Sequence, residues 1–234
     1  MKIVRTAHPK EDAGKKLTST LKRYANTPIL LMVSGGSAFQ FLEFVELGVL
    51  GPHLTLTILD ERFSTNPLVN NFAKLEQTSF YEKCMERGVK TIVTKVIEGE
   101  DLRGLSERFQ AALFFWKKEH PNGIIIATMG IGSDGHTAGI FPSEDGARFN
   151  TEAWVLGYVV PKSVHEHSER ITVTYTFLKE EVEEAIVYAV GSEKEDLVEK
   201  LENDNCDFFV FPACIFHHMR RVTLFSAIRD GVRN

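Results

Sequence analysis

Short solid apolar runs alternate along this chain with stretches whose apolar residues recur every three or four positions. Residues 28–33 (PILLMV), 54–59 (LTLTIL) and 124–128 (IIIAT) are brief, are bounded by glycine or charged residues, and read as buried strands. Further short strands are predicted at 91–97, 154–160, 171–175, 186–190 and 222–225. Between them, Leu17, Leu21 and Tyr24 recur at helical spacing. Phe39, Leu42 and Val45 suggest a helix starting directly after the strand at 28–33. Leu105, Phe109, Ala112, Leu113 and Trp116 form the most strongly amphipathic stretch, and 193–201 also reads as helix. Helices alternating with short buried strands define an α/β protein, with one doubly wound, mostly parallel, Rossmann-like sheet flanked by helices. No repeat, low-complexity stretch or linker breaks the pattern, so residues 1–234 are expected to form a single domain.

Composition narrows the classes of function. A chain of 234 residues buries a sizeable core. Its net charge of −5 lacks the basic footprint of a protein that binds nucleic acid or an acidic membrane surface. No run approaches the roughly 20 apolar residues that span a bilayer, and the N-terminal MKIVRTAHPKED lacks the apolar core of a signal peptide. A cytoplasmic protein with no nucleic-acid or membrane partner is expected, as a monomer or small homo-oligomer. Cys84, Cys206 and Cys214 show no CxxC spacing, so reduced thiols are expected. Cys206, Cys214, His217 and His218 fall near one another without a zinc pattern, and neither metal nor cofactor is expected.

The candidate chemistry lies at strand ends, where open α/β sheets bind ligands. The strand at 124–128 runs into Met129-Gly-Ile-Gly-Ser-Asp-Gly-His-Thr-Ala-Gly-Ile-Phe-Pro142. Its glycines allow sharp turns and close approach to a ligand. Asp134 and His136 put a carboxylate beside an imidazole, the pair needed to move a proton or activate water. Ser34-Gly35-Gly36-Ser37 ends another strand before an expected helix, where small residues expose N–H groups suited to phosphate. A plain tight turn is the alternative there, and no Gly-Lys-Ser/Thr follows to make a Walker loop. Asp60-Glu61-Arg62 closes a third strand; it is either a solvated turn or a carboxylate and a guanidinium aimed into the same crevice. Gly130 to Gly135 also satisfies GxGxxG, but Asp134 would repel a pyrophosphate and no acidic residue follows at the ribose spacing. No GxSxG elbow surrounds Ser37 or Ser133. Arg170 and Lys194 stand at strand boundaries, each alone readable as an exposed basic residue. His165, His167, His217 and His218 read as solvated surface residues.

Taken in order, Ser34-Gly-Gly-Ser37, Asp60-Glu-Arg62, Gly130-Ile-Gly-Ser-Asp-Gly-His136-Thr-Ala-Gly-Ile-Phe-Pro142, Arg170-Ile-Thr, Gly191-Ser-Glu-Lys194 and Pro212-Ala213 resemble the 6-phosphogluconolactonases. That family sits within the wider group that includes glucosamine-6-phosphate deaminases. The resemblance implies a Rossmann-like fold and metal-independent hydrolysis of 6-phosphogluconolactone in the pentose phosphate pathway. It assigns His136 as general base, Asp134 as its orienting partner, and Arg62, with Asp60 beside it, to the reacting end. It assigns Ser34, Gly35, Gly36, Ser37, Arg170 and Lys194 to the phosphate of a small sugar-phosphate substrate. Where family members usually continue Ser-Gly-Gly-Ser with Thr-Pro, this chain has Ala38-Phe39, which places a bulky aromatic near the expected phosphate loop.

Two other functions fit parts of the pattern. A deaminase or aldose–ketose isomerase would use Asp60 to shuttle a proton. Deaminases, however, typically carry Asp-Glu-Tyr and Asn-Glu-Pro where this chain has Asp60-Glu61-Arg62 and Ile140-Phe141-Pro142. A non-catalytic sugar-phosphate sensor would be expected to lose Asp134 and His136 and to carry a DNA-binding module.

Overall fold

A computed structural model describes residues 1–143, 145–202 and 206–228. Its strands are β1 (Lys2–Thr6), β2 (Ile29–Val33), β3 (Leu54–Ile58), β4 (Asp60–Arg62), β5 (Lys90–Thr91), β6 (Ile124–Gly130), β7 (Val155–Val159), β8 (Glu169–Val173), β9 (Val182–Tyr188) and β10 (Val222–Ala227). Its α-helices are α1 (Pro9–Arg23), α2 (Asn71–Glu76), α3 (Ser79–Glu86), α4 (Leu102–Glu119), α5 (Tyr175–Glu180) and α6 (Glu195–Glu202). Seven strands form an all-parallel sheet in the order β1-β10-β9-β6-β2-β3-β5.

Alternation along a strand explains the two-sided core. Leu30 and Met32 of β2 pack into one apolar cluster with Leu105, Phe109, Leu113 and Trp116 of α4. Ile29, Leu31 and Val33 pack into the other with Ala13, Leu17 and Leu21 of α1. Successive side chains of a strand face opposite ways, so α1 and α4 cover opposite faces and the sheet is doubly wound. No helix among the described residues is long and apolar enough to cross a membrane.

The structure departs from the sequence reading at several elements. The segments expected as sheet strands at 154–160 and 171–175 instead build a separate three-stranded antiparallel sheet, in the order β4-β8-β7. Leu59 joins the two sheets: its N–H donates to Val33 O, and its carbonyl accepts from Val173 N. The strand expected over 91–97 shrinks to Lys90–Thr91, because the carbonyls of Val93 and Lys95 are taken by the Arg108 guanidinium of α4. After Ser37 the chain forms 3₁₀ turns over Gly36–Phe44. Its buried residues are Ala38, Phe41 and Leu42. Phe39, the aromatic expected near the phosphate loop, packs against the core cluster on the α1 side and is not among the residues lining the cavity. Cys206 and Cys214, expected as free thiols, are joined as a disulfide; their Cα atoms lie 5.9 Å apart, within the normal reach of such a bond. Cys84 stays free and buried, and burial pushes its thiol up to about 12.

Candidate active site

The strand order fixes where a site can form. From β2 the chain moves outward through β3 to β5, then returns to the other side of β2 with β6 and continues to β9 and β10. The reversal lies between β2 and β6, and the loops leaving their carboxyl ends diverge around a crevice. A cavity of about 400 Å³ opens there. The loop after β2 supplies Ser34, Gly35, Gly36 and Ser37 to its wall, and β4 supplies Asp60 and Arg62. The loop after β6 supplies His136, β8 supplies Arg170, and the turn before α6 supplies Lys194. Asp134 stands behind this wall, bonded to His136. The structure therefore brings together every residue that the sequence reading assigned to the site.

Asp134 grips His136 twice. The His136 ring Nδ1 lies 2.6 Å from Asp134 Oδ1, and the His136 backbone N–H donates to the same oxygen at 3.0 Å. Burial pushes the Asp134 carboxyl up, but the hydrogen bonds and charge of His136 outweigh it and hold the group below its ordinary value. An ionised Asp134 keeps the proton on Nδ1 and leaves Nε2 as the free base. Phe141 backs the imidazole, with ring centroids 4.4 Å apart.

The loop holding this pair is built by neighbours as much as by its own sequence. The Phe211 ring presses on Gly135, where an added Cβ would come within 1.9 Å of it, and the Ala213 N–H donates to Gly135 O. Ala138 sits at φ +47, a region an alanine rarely occupies. Its carbonyl accepts from the Thr172 hydroxyl of β8, and the next carbonyl, of Gly139, accepts from the Tyr158 hydroxyl of β7. The small antiparallel sheet thus fastens the strained turn of the Asp134–His136 loop.

The rest of the wall carries cations. Arg62 and Arg170 are direct cross-strand partners in the β4–β8 register, a like-charge pairing that favours an anion between them. Arg170 is buried, with Nη1 4.0 Å from Asp60 Oδ2 and Nε donating to His167 O at 3.2 Å. Burial draws Arg170 down from its ordinary value while Asp60 opposes it. Lys194 is also buried, its Nζ 3.4 Å from Ser37 Oγ; burial lowers it and Glu193 opposes. Neither is the exposed basic residue that its local sequence suggested. Ser34 Oγ, Arg62 Nε, Asn71 Oδ1 and Arg170 Nη2 are buried with no hydrogen-bond partner among the described residues. Unpaired buried polar atoms are costly, and four around one cavity mark it as a surface built to meet a polar ligand.

Some site residues escape the sequence reading. Asn71 donates from Nδ2 to Asp60 O at 2.9 Å and lines the cavity. Phe141 lines it too, and so does His165, which had read as a solvated surface residue. His165 is drawn inward by edge-on packing on Phe141, with centroids 5.7 Å apart. Glu61, between Asp60 and Arg62, faces away from the cavity, as strand alternation requires.

The doubly wound fold is shared with solved 6-phosphogluconolactonases. The one from Plasmodium vivax matches with a TM-score of 0.76 at 13% identity, over 97% of this chain and 90% of that one. The one from Trypanosoma brucei matches with a TM-score of 0.74 at 18% identity, over 96% and 95%. By sequence, the 6-phosphogluconolactonase of Helicobacter pylori (strain ATCC 700392 / 26695) is 26% identical over 222 residues, 91% of this chain and 92% of that protein. The family model described as glucosamine-6-phosphate isomerases/6-phosphogluconolactonase matches residues 7–225, and the chain belongs to that family.

Proposed function

We propose that this protein hydrolyses 6-phosphogluconolactone to 6-phosphogluconate, as a cytoplasmic enzyme of the pentose phosphate pathway whose residues 1–234 act as one domain. The observation that carries the reading is that His136, held by Asp134, lines one cavity together with the Arg62–Arg170 pair. That combination supplies a base and an anion-binding wall, which is what an activated ester bearing a phosphate requires.

His136 Nε2 takes a proton from water as the water oxygen bonds to the lactone carbonyl carbon. Charge develops on the carbonyl oxygen, and Arg62 stabilises it. The ring C–O bond then breaks, and the imidazolium returns its proton to the departing ring oxygen. No covalent nucleophile is needed, because a lactone is already an activated acyl group. General-base catalysis of this kind typically contributes about 10²–10⁴-fold. An oxyanion donor typically contributes about 10²–10³-fold. The Ser34–Ser37 loop, Arg170 and Lys194 hold the phosphate, and the burial of Ser34, Arg170 and Lys194 makes their contacts stronger than they would be in water.

Offering the protein freshly generated 6-phosphogluconolactone and, separately, glucosamine 6-phosphate tests the assignment. The expected result is lactone loss above the spontaneous rate and no ammonia release. Ammonia release without lactone turnover would move the protein to the deaminase branch, with Asp60 as the proton shuttle.

A further inference from the structure

A second histidine in the cavity has no part in the chemistry above. His165 lies in the loop between β7 and β8, and lines the cavity beside Arg170 and Phe141. Phe141 is a shared platform: His136 stacks on it at 4.4 Å, His165 meets it edge-on at 5.7 Å, and the Arg170 guanidinium lies 5.0 Å from its centroid. One aromatic ring therefore sets the spacing of the base, a phosphate-binding arginine and His165.

The tautomer of His165 follows from its own loop. Its Nδ1 accepts the His167 backbone N–H at 3.1 Å, so in the neutral ring the proton sits on Nε2. Among the described residues no hydrogen bond engages Nε2. Burial and the nearby charges of Arg170, Arg62, His167 and His136 push the imidazole down to about 4, which keeps it neutral at physiological pH. A neutral ring with Nδ1 occupied offers the cavity one hydrogen-bond donor and no acceptor.

We propose that His165 is a specificity-determining residue for this reaction, presenting Nε2–H to an oxygen of the sugar-phosphate substrate on the side shared with Arg62 and Arg170. The inference rests on the lactonase reading above and adds a contact to it. A donor that needs no charge suits this place, because a third cation beside two paired guanidiniums would raise the cost of the empty site.

His165→Phe keeps a ring against Phe141 and removes the donor, whereas His165→Gln restores an N–H at a similar reach. The measurements are kcat and KM on fresh 6-phosphogluconolactone, the Kd of 6-phosphogluconate by calorimetry, and the thermal midpoint. His165→Phe is expected to lower kcat/KM and weaken product binding about 10-fold. His165→Gln is expected to stay within about threefold of wild type, with both melting temperatures unchanged. His165→Phe kinetics within about twofold of wild type would overturn the inference. So would equal losses in both variants, which would tie the effect to ring packing. Wild-type protein that fails to hydrolyse the lactone at all would instead refute the parent reading, and this inference with it.

Discussion

Gly132 shows how closely the Asp134–His136 pair is held. A Cβ at this position would lie 2.1 Å from both Cε1 and Nδ1 of His136 and 2.8 Å from Asp134 Oδ1. The imidazole occupies the space that any other residue would fill. Gly132→Ala is therefore expected to displace His136 and lower kcat by about 10²-fold, since displacements near 1 Å cost that much. The same change is expected to shift the thermal midpoint little, which steady-state kinetics and a melt on one sample will show. At this scale the sequence was informative where chemistry is contiguous. Asp134 and His136 are two residues apart, so their pairing was legible. His165 lies 29 positions from His136 in a polar loop with no periodicity, and the Phe141 ring bridges the two.

The element that most shapes the site is one of the shortest. β4 is three charged residues, and strand alternation turns Asp60 and Arg62 to the cavity and Glu61 to the interior. Glu61 is fully buried and its carboxylate accepts four donors: the N–H groups of Arg62, Asn71 and Phe72, and the Thr94 hydroxyl. It thereby caps the start of α2 and fixes Asn71 beside Asp60. Glu61→Gln replaces an oxygen that can accept in either protonation state by an NH2 group that cannot, facing other donors. Loss of about 1–3 kcal/mol in unfolding free energy is expected, measured by denaturant titration. The apolar runs announced β2 and β6 because strands buried on both faces favour apolar residues throughout, and β3 buries Thr55 and Thr57 beside its leucines and isoleucine. Asp-Glu-Arg offers no such run, so β4 was not read as a strand; β7 and β8 were, but without β4 their separate sheet was not. The strand expected at 91–97 failed for the converse reason: its residues suit a strand, but Arg108 claims the carbonyls a neighbour would need.

Across the whole molecule, two sheets joined at Leu59 divide the work. The parallel sheet makes the crevice, and the antiparallel one fastens Ala138 and Gly139 and carries both arginines. The α/β class and the crevice at the strand ends were readable from the alternation of runs and helices. The second sheet was not, because its pairing depends on contacts between residues about 110 positions apart, such as Arg62 with Arg170. Glu61 gives this architecture a pH dependence. Burial, reinforced by Asp60 and opposed by backbone hydrogen bonds, pushes Glu61 up to about 7 from an ordinary 4.5. A carboxyl raised on folding binds its proton more tightly in the native state. Its contribution to stability is complete below about pH 4.5 and fades as pH rises through about 7. The stability gap between wild type and Glu61→Gln is thus expected to narrow between pH 4.5 and 7, as followed by denaturant titration at each pH. A gap that widens over that range would place the native Glu61 below its ordinary value.

The most direct test of the account is the rate of 6-phosphogluconolactone hydrolysis by wild type and His136→Ala, with spontaneous hydrolysis subtracted and 6-phosphogluconate affinity measured on both. The prediction is clear wild-type turnover, a fall of at least about 10²-fold in kcat for the variant, and product binding retained. A variant as fast as wild type would remove His136 as the base. Wild-type protein no faster than the spontaneous reaction would contradict the lactonase assignment itself.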